Sequence, residues 1–184
     1  MLFSDGFDRW TVKNLSQSAS VQLLDELAPA IGYDQLITIV ELVEGCPLAL
    51  KVIGQLLHIY GAELTHKLKQ ELITVLDKAS IHRERFRGIM DVAFTQLGAL
   101  KDCGYLLSLF PGSFDMSAGI AIINSSPKEC LELYVKHSLL DEQFLAYQYR
   151  YKMHRLIREY LKEKLSTLIV HCLRKDLEDI LNNY

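Results

Sequence analysis

The ionisable side chain with the most informative position in this sequence is His154. Residues 149–152 alternate aromatic and basic side chains, as a half-exposed strand does. From Met153 onwards the apolar residues recur with a helical period, so His154 marks the point where a strand gives way to a helix. A histidine at such a junction could contact a ligand or could simply cap or pack at the turn, and the sequence leaves both roles open.

Motifs for the common enzymatic chemistries are absent. No glycine is followed by lysine, so there is no Walker A phosphate loop, and GxGxxG, GxSxG, HExxH and EF-hand patterns are also missing. Residues Ile73 to Asp77 superficially resemble a Walker B strand, but they continue a helical pattern and have no phosphate loop to serve. The six histidines are dispersed, and none lies at zinc-ligand spacing from a cysteine. We therefore expect no catalytic residue, no metal site and no enzymatic activity in this chain.

Composition favours a folded protein and argues against several classes of partner. Of the 184 residues, 49% are apolar, which allows a sizeable core, and the net charge of −3 does not suggest a nucleic-acid-binding protein. The four cysteines form no CxxC pair and are typical of reduced thiols in the cytosol. Neither a signal peptide nor an apolar run long enough to span a membrane is present. The expected location is cytoplasmic, with no membrane partner.

The first half of the chain shows a helical period throughout. It predicts four helices with short connections, which together form a compact subdomain at residues 14–80. The predicted helices run from about Ser16 to Gly32, Asp34 to Gly45, Pro47 to Gly61 and Leu64 to Leu76. Residues 1–13 are too short to form a unit and are typical of the end of a strand whose sheet lies elsewhere.

The second half predicts short helices, then a hairpin, then another helix. Charged residues at Ile81–Arg87 indicate a linker between the two halves. Helices are expected near Phe86–Leu100, Asp102–Phe110, Ser117–Ile123 and Pro127–His137, and strands at Leu139–Asp141 and Phe144–Lys152. This order is that of a winged-helix domain, at residues 83–165. The predicted fold class is mainly α, a four-helix bundle followed by a winged helix with a small β-hairpin, and residues 166–184 add an amphipathic helix.

Two surface patterns each allow a structural and a functional interpretation. Tyr147, Tyr149 and Tyr151 are expected on one face of the second strand, where they could pack across the strands or stack on bases. Residues 150–164 carry six basic and two acidic side chains, which could form a solvated helix face or a patch facing a phosphate or a partner.

Three segments together resemble a known family. Glu41–Gly54 resembles the GLPLAL segment of NB-ARC domains, with Cys46 in the leucine position. Leu106–Asp115 resembles the winged-helix segment of the same domains, and Tyr151–Tyr160 resembles their Met-His-Asp motif. The three lie in the order and on the elements that the family uses. From about Trp10 to Leu165, the chain therefore resembles the C-terminal part of an NB-ARC domain, the switch module of STAND signalling ATPases.

The resemblance implies an organisation and a function. In that family a nucleotide-binding α/β domain precedes a four-helix subdomain and a winged helix, so residues 1–13 would be a remnant of the first domain. Residues 166–184 would lead to a missing C-terminal region, such as a repeat sensor. The chain would be the regulatory fragment of a switch that closes over ADP and controls oligomerisation, in signalling such as apoptosis or innate immunity. Its partner would be a nucleotide-binding domain in cis or in trans, and ADP or ATP would be bound only together with that domain.

The resemblance also assigns site residues. Gly45, Pro47 and His154 match nucleotide-binding positions: the proline packs against adenine, the glycine allows close approach and the histidine reaches the β-phosphate. A helix N-terminus also favours an anion at His154. Met153, His154 and Arg155 form the switch motif, in which Arg155 replaces the aspartate and cannot accept that residue's hydrogen bonds. Ordinary helix-start chemistry would equally explain Gly45 and Pro47.

Two other classes of function remain open. A stand-alone winged-helix protein would bind nucleic acid through the helix at Pro127–His137, but its basic residues are balanced by Glu129 and Glu132. A helical adaptor would use the apolar stripe of residues 168–181 to recruit helical repeats.

Overall fold

The computed structural model describes residues 14–78, 82–123 and 126–182, and these are mainly helical with a small three-stranded antiparallel sheet. The helices are α1 (Gln17–Leu27), α2 (Tyr33–Val43), α3 (Pro47–Lys78), α4 (His82–Gln96), α5 (Cys103–Leu107), α6 (Met116–Ile122), α7 (Pro127–Lys136) and α8 (Arg155–Asn182). A 3-10 helix spans Gly98–Asp102, and the strands are β1 (Phe114–Asp115), β2 (Asp141–Leu145) and β3 (Gln148–Lys152). The predicted remnant at residues 1–13 lies outside the described residues.

Helices α1, α2 and α3 pack against one another through their apolar faces. Apolar residues spaced three or four residues apart fall on one side of each helix. Leu24, Leu36 and Leu50 are fully buried where these faces meet, and each contributes about 1.5–3 kcal/mol by leaving water. The Ser16 hydroxyl caps α1 by accepting the N–H of Ala19 at 3.3 Å, as a serine at this position is expected to do.

The predicted break at Gly61 is wrong, because α3 continues without interruption to Lys78. A glycine inside a helix costs only about 1 kcal/mol relative to alanine, and no proline follows to end the helix. The predicted third and fourth helices of the bundle are therefore a single helix. The predicted linker is also wrong from His82 onwards, since His82–Arg87 form the first turns of α4, which packs along α3.

The sheet has the order β1-β3-β2, and its first strand has no counterpart in the sequence-based expectation. Phe114 of β1 lies opposite Tyr151 of β3, and both side chains are buried. Strand β2 pairs with the other side of β3, with Asp141 opposite Lys152 and Leu145 opposite Gln148. Strand β2 is therefore an edge strand. A two-residue strand such as β1 leaves too short a pattern to be read from sequence.

The hairpin turn lies at Ala146 and Tyr147, later than expected. Both residues have positive φ, +50° and +63°, as tight two-residue hairpin turns require. Sequences such as Asn-Gly normally signal this turn, and their absence explains the misplaced strand ends. Tyr147 therefore lies in the turn, 97% exposed, and not on the strand. Tyr149 and Tyr151, two residues apart in β3, share a face as predicted; Tyr149 packs on Phe144, and Tyr151 is buried.

The last helix, α8, runs continuously from Arg155 to Asn182, so the predicted boundary at residue 166 does not interrupt it. Ile157, Tyr160 and Leu161 bury one side of its first turns against the core. Nothing in the described ranges forms a helix with both the length and the apolar character that crossing a membrane requires.

The connection from α2 to α3 depends on Gly45. Glu44 and Gly45 both have positive φ, 55° and 69°, which turns the chain sharply out of α2. The carbonyl of Gly45 accepts the N–H of Leu15 at 2.9 Å, which ties the start of the described chain to this turn. A Cβ on Gly45 would lie 2.3 Å from the carbonyl oxygen of Leu15. Only glycine fits without displacing one of the two segments.

A buried polar contact joins α3 to the second half of the chain. The imidazole of His137, which follows α7, is 1% exposed; its Nδ1 lies 2.8 Å from the carbonyl oxygen of Leu133. Its Nε2 lies 3.1 Å from the hydroxyl oxygen of Tyr60 in α3, and that oxygen lies 3.2 Å from the carbonyl oxygen of Gln96. Burial lowers the pKa of His137 below its ordinary value, the hydrogen bond to Leu133 opposes the shift, and the charge of Lys136 adds to it.

Substitution of Gly45 should destabilise the protein much more than substitution of Gly98, another glycine with a positive φ. Gly45→Ala combines a left-handed backbone with a steric clash and should lower the free energy of unfolding by more than about 3 kcal/mol. Gly98, with φ +56°, has open space around its Cα, so Gly98→Ala should cost only about 1–2 kcal/mol. Urea denaturation of both variants measures the difference, and equal losses would contradict the steric role of Leu15.

Acidification should destabilise the fold through His137. Because the pKa of His137 is lower in the folded chain, the unfolded chain binds the proton more readily, and stability falls as the pH drops below about 6.5. Free energies of unfolding measured between about pH 7 and pH 5 should fall less steeply with acid in His137→Gln than in the unchanged chain. His58→Gln, which changes an exposed histidine of α3, should keep the original slope.

Candidate functional site

His154 lies immediately before α8 and caps it. Its Nδ1 accepts the backbone N–H of Leu156 at 3.2 Å, and its carbonyl accepts the N–H of Arg158 at 3.0 Å. The capping role considered above is therefore present. Because Nδ1 is the acceptor, the neutral ring carries its proton on Nε2, which remains able to donate to a ligand. The side chain is exposed, so capping and ligand contact do not exclude each other.

Pro47 begins α3, where its missing N–H leaves no hydrogen bond unmade. The helix starts from Cys46, whose carbonyl accepts the N–H of Leu50 at 3.0 Å. Pro47 and His154, far apart in sequence, line one cleft of about 250 Å³, together with Leu48 of α3 and Leu139 from the segment before β2. The start of α3 and the start of α8 thus face a common space.

Three polar side chains line the same cleft and were not singled out from the sequence. Lys51 lies one turn after Pro47 on α3, and its ammonium pairs with the carboxylate of Asp141 at 2.8 Å. Ser138 has a positive φ of 55° and is 9% exposed. The four-residue spacing from Pro47 could have indicated Lys51, whereas only the folded chain brings Ser138 and Asp141 to the cleft.

The other three predicted site residues do not line this cleft. Gly45 faces Leu15 on a separate shallow groove that Glu41 also lines. Met153 is buried in the core. Arg155 is exposed, and its Nε pairs with Glu159 one turn later at 2.9 Å. Its guanidinium therefore has a local partner on the helix surface.

A second cavity is lined mainly by apolar side chains. It has a volume of about 330 Å³ and is lined by Val43, Cys46, Ala49, Phe86, Ile89 and Leu156, with Asn14 and Arg85 as polar members. Cys46 precedes Pro47, and Leu156 donates to His154, so both cavities are lined by residues from the starts of α3 and α8. Arg85 is held by Glu44 at 2.8 Å and by the carbonyl of Leu42 at 2.9 Å.

Much of the basic segment at residues 150–164 is used inside the molecule. Arg150 donates to the carbonyl of Ser113, and Arg158 donates to the carbonyls of Phe110 and Pro111. Lys164 pairs with Asp91 at 2.6 Å, and Glu163 pairs with Arg87. These contacts bind α8 to the helices and loops beneath it. Lys152, Arg155 and Lys162 of the same segment are exposed.

The helix that a nucleic-acid-binding winged helix would insert into a groove is poorly suited to that role. His137, counted among its basic residues, is buried against Tyr60. Lys128 lies 3.9 Å from the carboxylate of Glu132 on the same helix surface. An exposed basic face is what phosphate contacts need, and α7 does not provide one.

Among the residues that the structure describes, no three His, Cys, Asp or Glu side chains are grouped so that they could hold a metal ion. Comparison with models of known protein families finds no match to this chain. Comparison with curated proteins finds no match either.

Proposed function

We propose that this chain is the regulatory part of a nucleotide-dependent signalling switch of the NB-ARC type. The observation that carries the proposal is that Pro47 and His154 line one cleft. These are the positions at which the resemblance places the adenine contact and the β-phosphate contact. A cleft shared by two helix starts that are distant in sequence is what a ligand bridging both segments requires.

The polar groups of the cleft suit a phosphate. The protonated Nε2 of His154 and the hydroxyl of Ser138 are hydrogen-bond donors, and both residues line the cleft. The N-terminal ends of α3 and α8 add the partial positive charge of a helix N-terminus. Backbone N–H groups and such a charge favour anions at helix starts in many proteins.

The second, apolar cavity suits a nucleobase. A purine is flat and largely apolar, and cavities that bind such groups are lined by apolar and aromatic side chains with a few polar groups. Phe86 and Ile89 supply apolar surface. Asn14, whose Nδ2 donates to the carbonyl of Glu44 at 2.8 Å, supplies an amide oxygen that could accept a hydrogen bond from the base. We infer that the base of ADP or ATP enters this cavity beside Cys46 with one edge against the ring of Pro47, the next residue, while the phosphates lie beside His154.

The arrangement of the remaining elements supports the same function. We infer that α4 to α8 and the sheet form a winged helix, with β2 and β3 as the wing. In the intact switch, a separate nucleotide-binding domain, in cis or in trans, would supply most of the phosphate contacts. A nucleotide that contacts both this chain and that domain favours the closed arrangement of the two, and its exchange shifts the population towards an open form able to oligomerise.

ADP should bind this chain weakly and at the stated residues. In a two-dimensional NMR titration, millimolar ADP should shift the backbone amides of Leu48, Arg155 and Leu156 in a saturable way. ATP should not be hydrolysed, because the sequence contains no phosphate loop. His154→Ala should reduce the affinity several-fold, since it removes the Nε2 donor.

The matched control is His58→Ala, which removes an exposed histidine of α3 that is not among the residues lining either cavity. It should leave the ADP titration unchanged. Two outcomes would overturn the proposal: shifts that do not depend on His154, or no saturable shift at about 10 mM ADP. Micromolar affinity would instead contradict the assignment of most contacts to a separate domain.

A further inference from the structure

Lys51 occupies a position that the resemblance does not assign, directly inside the candidate cleft. It lies one helical turn after Pro47 and lines the cleft together with His154. Among the described residues that line this cleft, it is the one with a permanent positive charge. Its ammonium is bound to the carboxylate of Asp141 at the start of β2, at 2.8 Å.

The Lys51–Asp141 pair is open to solvent. The side chains are 46% and 43% exposed, so water screens their attraction and the pair is easily broken. Both residues line the same cleft, which places the acidic partner where an anion would lie. A carboxylate at this position occupies the ammonium group of Lys51 that a phosphate would otherwise contact.

We propose that Lys51 is a phosphate-binding residue of this cleft and that Asp141 is an internal competitor which occupies it. This inference rests on the proposed function, because it names a further residue and a means of regulation for the same site. A phosphate carries more negative charge than a carboxylate, so it can displace Asp141 from Lys51. Because phosphate must first displace Asp141, the apparent affinity for phosphate is lower than it would be without this carboxylate. Once Asp141 is displaced, the start of β2 is no longer tied to α3.

The competition couples ligand binding to the hairpin. Phosphate on Lys51 and the Lys51–Asp141 pair exclude each other, so any change that holds β2 against α3 weakens phosphate binding, and the reverse also holds. Lys152 lies opposite Asp141 in the sheet but is not among the residues that line the cleft. The released carboxylate therefore has a basic neighbour on the adjacent strand.

Titration with pyrophosphate and with ADP tests the inference, with amide shifts as the readout. Asp141→Asn frees Lys51 and should tighten binding of both ligands about two- to fivefold, an effect that shrinks as salt is raised. Lys51→Met should weaken binding by a similar factor or more. In the Lys51→Met background, Asp141→Asn should have no further effect, because the competition acts through the lysine.

Two controls separate competition from other effects of charge. Glu142→Gln removes the next acidic residue of β2, which interacts with Tyr151 rather than with Lys51, and should change the affinity little. Asp141→Glu keeps a carboxylate and should stay close to the unchanged chain. Thermal melts of every variant establish that it is folded before it is titrated.

The outcomes distinguish this inference from the proposed function. If the unchanged chain binds ADP through His154 but Asp141→Asn has no effect, the competition is wrong and the switch proposal stands. If Asp141→Asn tightens binding equally in the Lys51→Met background, Asp141 acts by simple repulsion and the competition is again wrong. If neither ligand shifts the cleft residues in any variant, the proposed function fails with it.

Discussion

The hydroxyl of Tyr60 meets the imidazole of His137 inside the protein, where α3 passes the end of α4 and the end of α7. Buried polar groups are costly unless their hydrogen bonds are satisfied, so this contact fixes how α3 lies against the second half of the chain. The same helix packs against α1 and α2, and its Leu50 and Ile53 are fully buried. Since α3 is held from both sides, its first turn stays in place opposite the start of α8. The cleft between Pro47 and His154 follows from that constraint.

How much of this arrangement could be read from the sequence depends on whether the signal is local. The starts of α1, α2, α3 and α7 follow from a cap, an acidic first turn or a proline, and each is visible in a few residues. The continuity of α3 through Gly61 is not visible in this way, because glycine weakens a helix without ending it. The turn at Ala146 and Tyr147 could not be predicted from the sequence either, because these residue types rarely adopt a positive φ.

The candidate site likewise combines residues that a local sequence signal predicts with residues that only the folded chain brings together. Pro47 and His154 could be proposed because each begins a helix within a recognisable segment. Ser138 and Asp141 have no sequence signal, since their relation to Pro47 exists only after the chain has folded. For the basic segment at residues 150–164, the sequence left open a solvated helix face or a patch facing a phosphate or a partner. Arg150, Arg158 and Lys164 in fact satisfy carbonyls and carboxylates within the molecule.

Helix α8 has a mechanical consequence that its local contacts do not reveal. It begins at the residue after His154 and is continuous to Asn182, a length of about 42 Å at 1.5 Å per residue. A rigid rod of this length acts as a lever: a tilt of about 10° at its first turn displaces the far end by about 7 Å. A sub-ångström adjustment where His154 caps the helix is therefore enlarged along α8 and is largest at its C-terminal end, near Asn182.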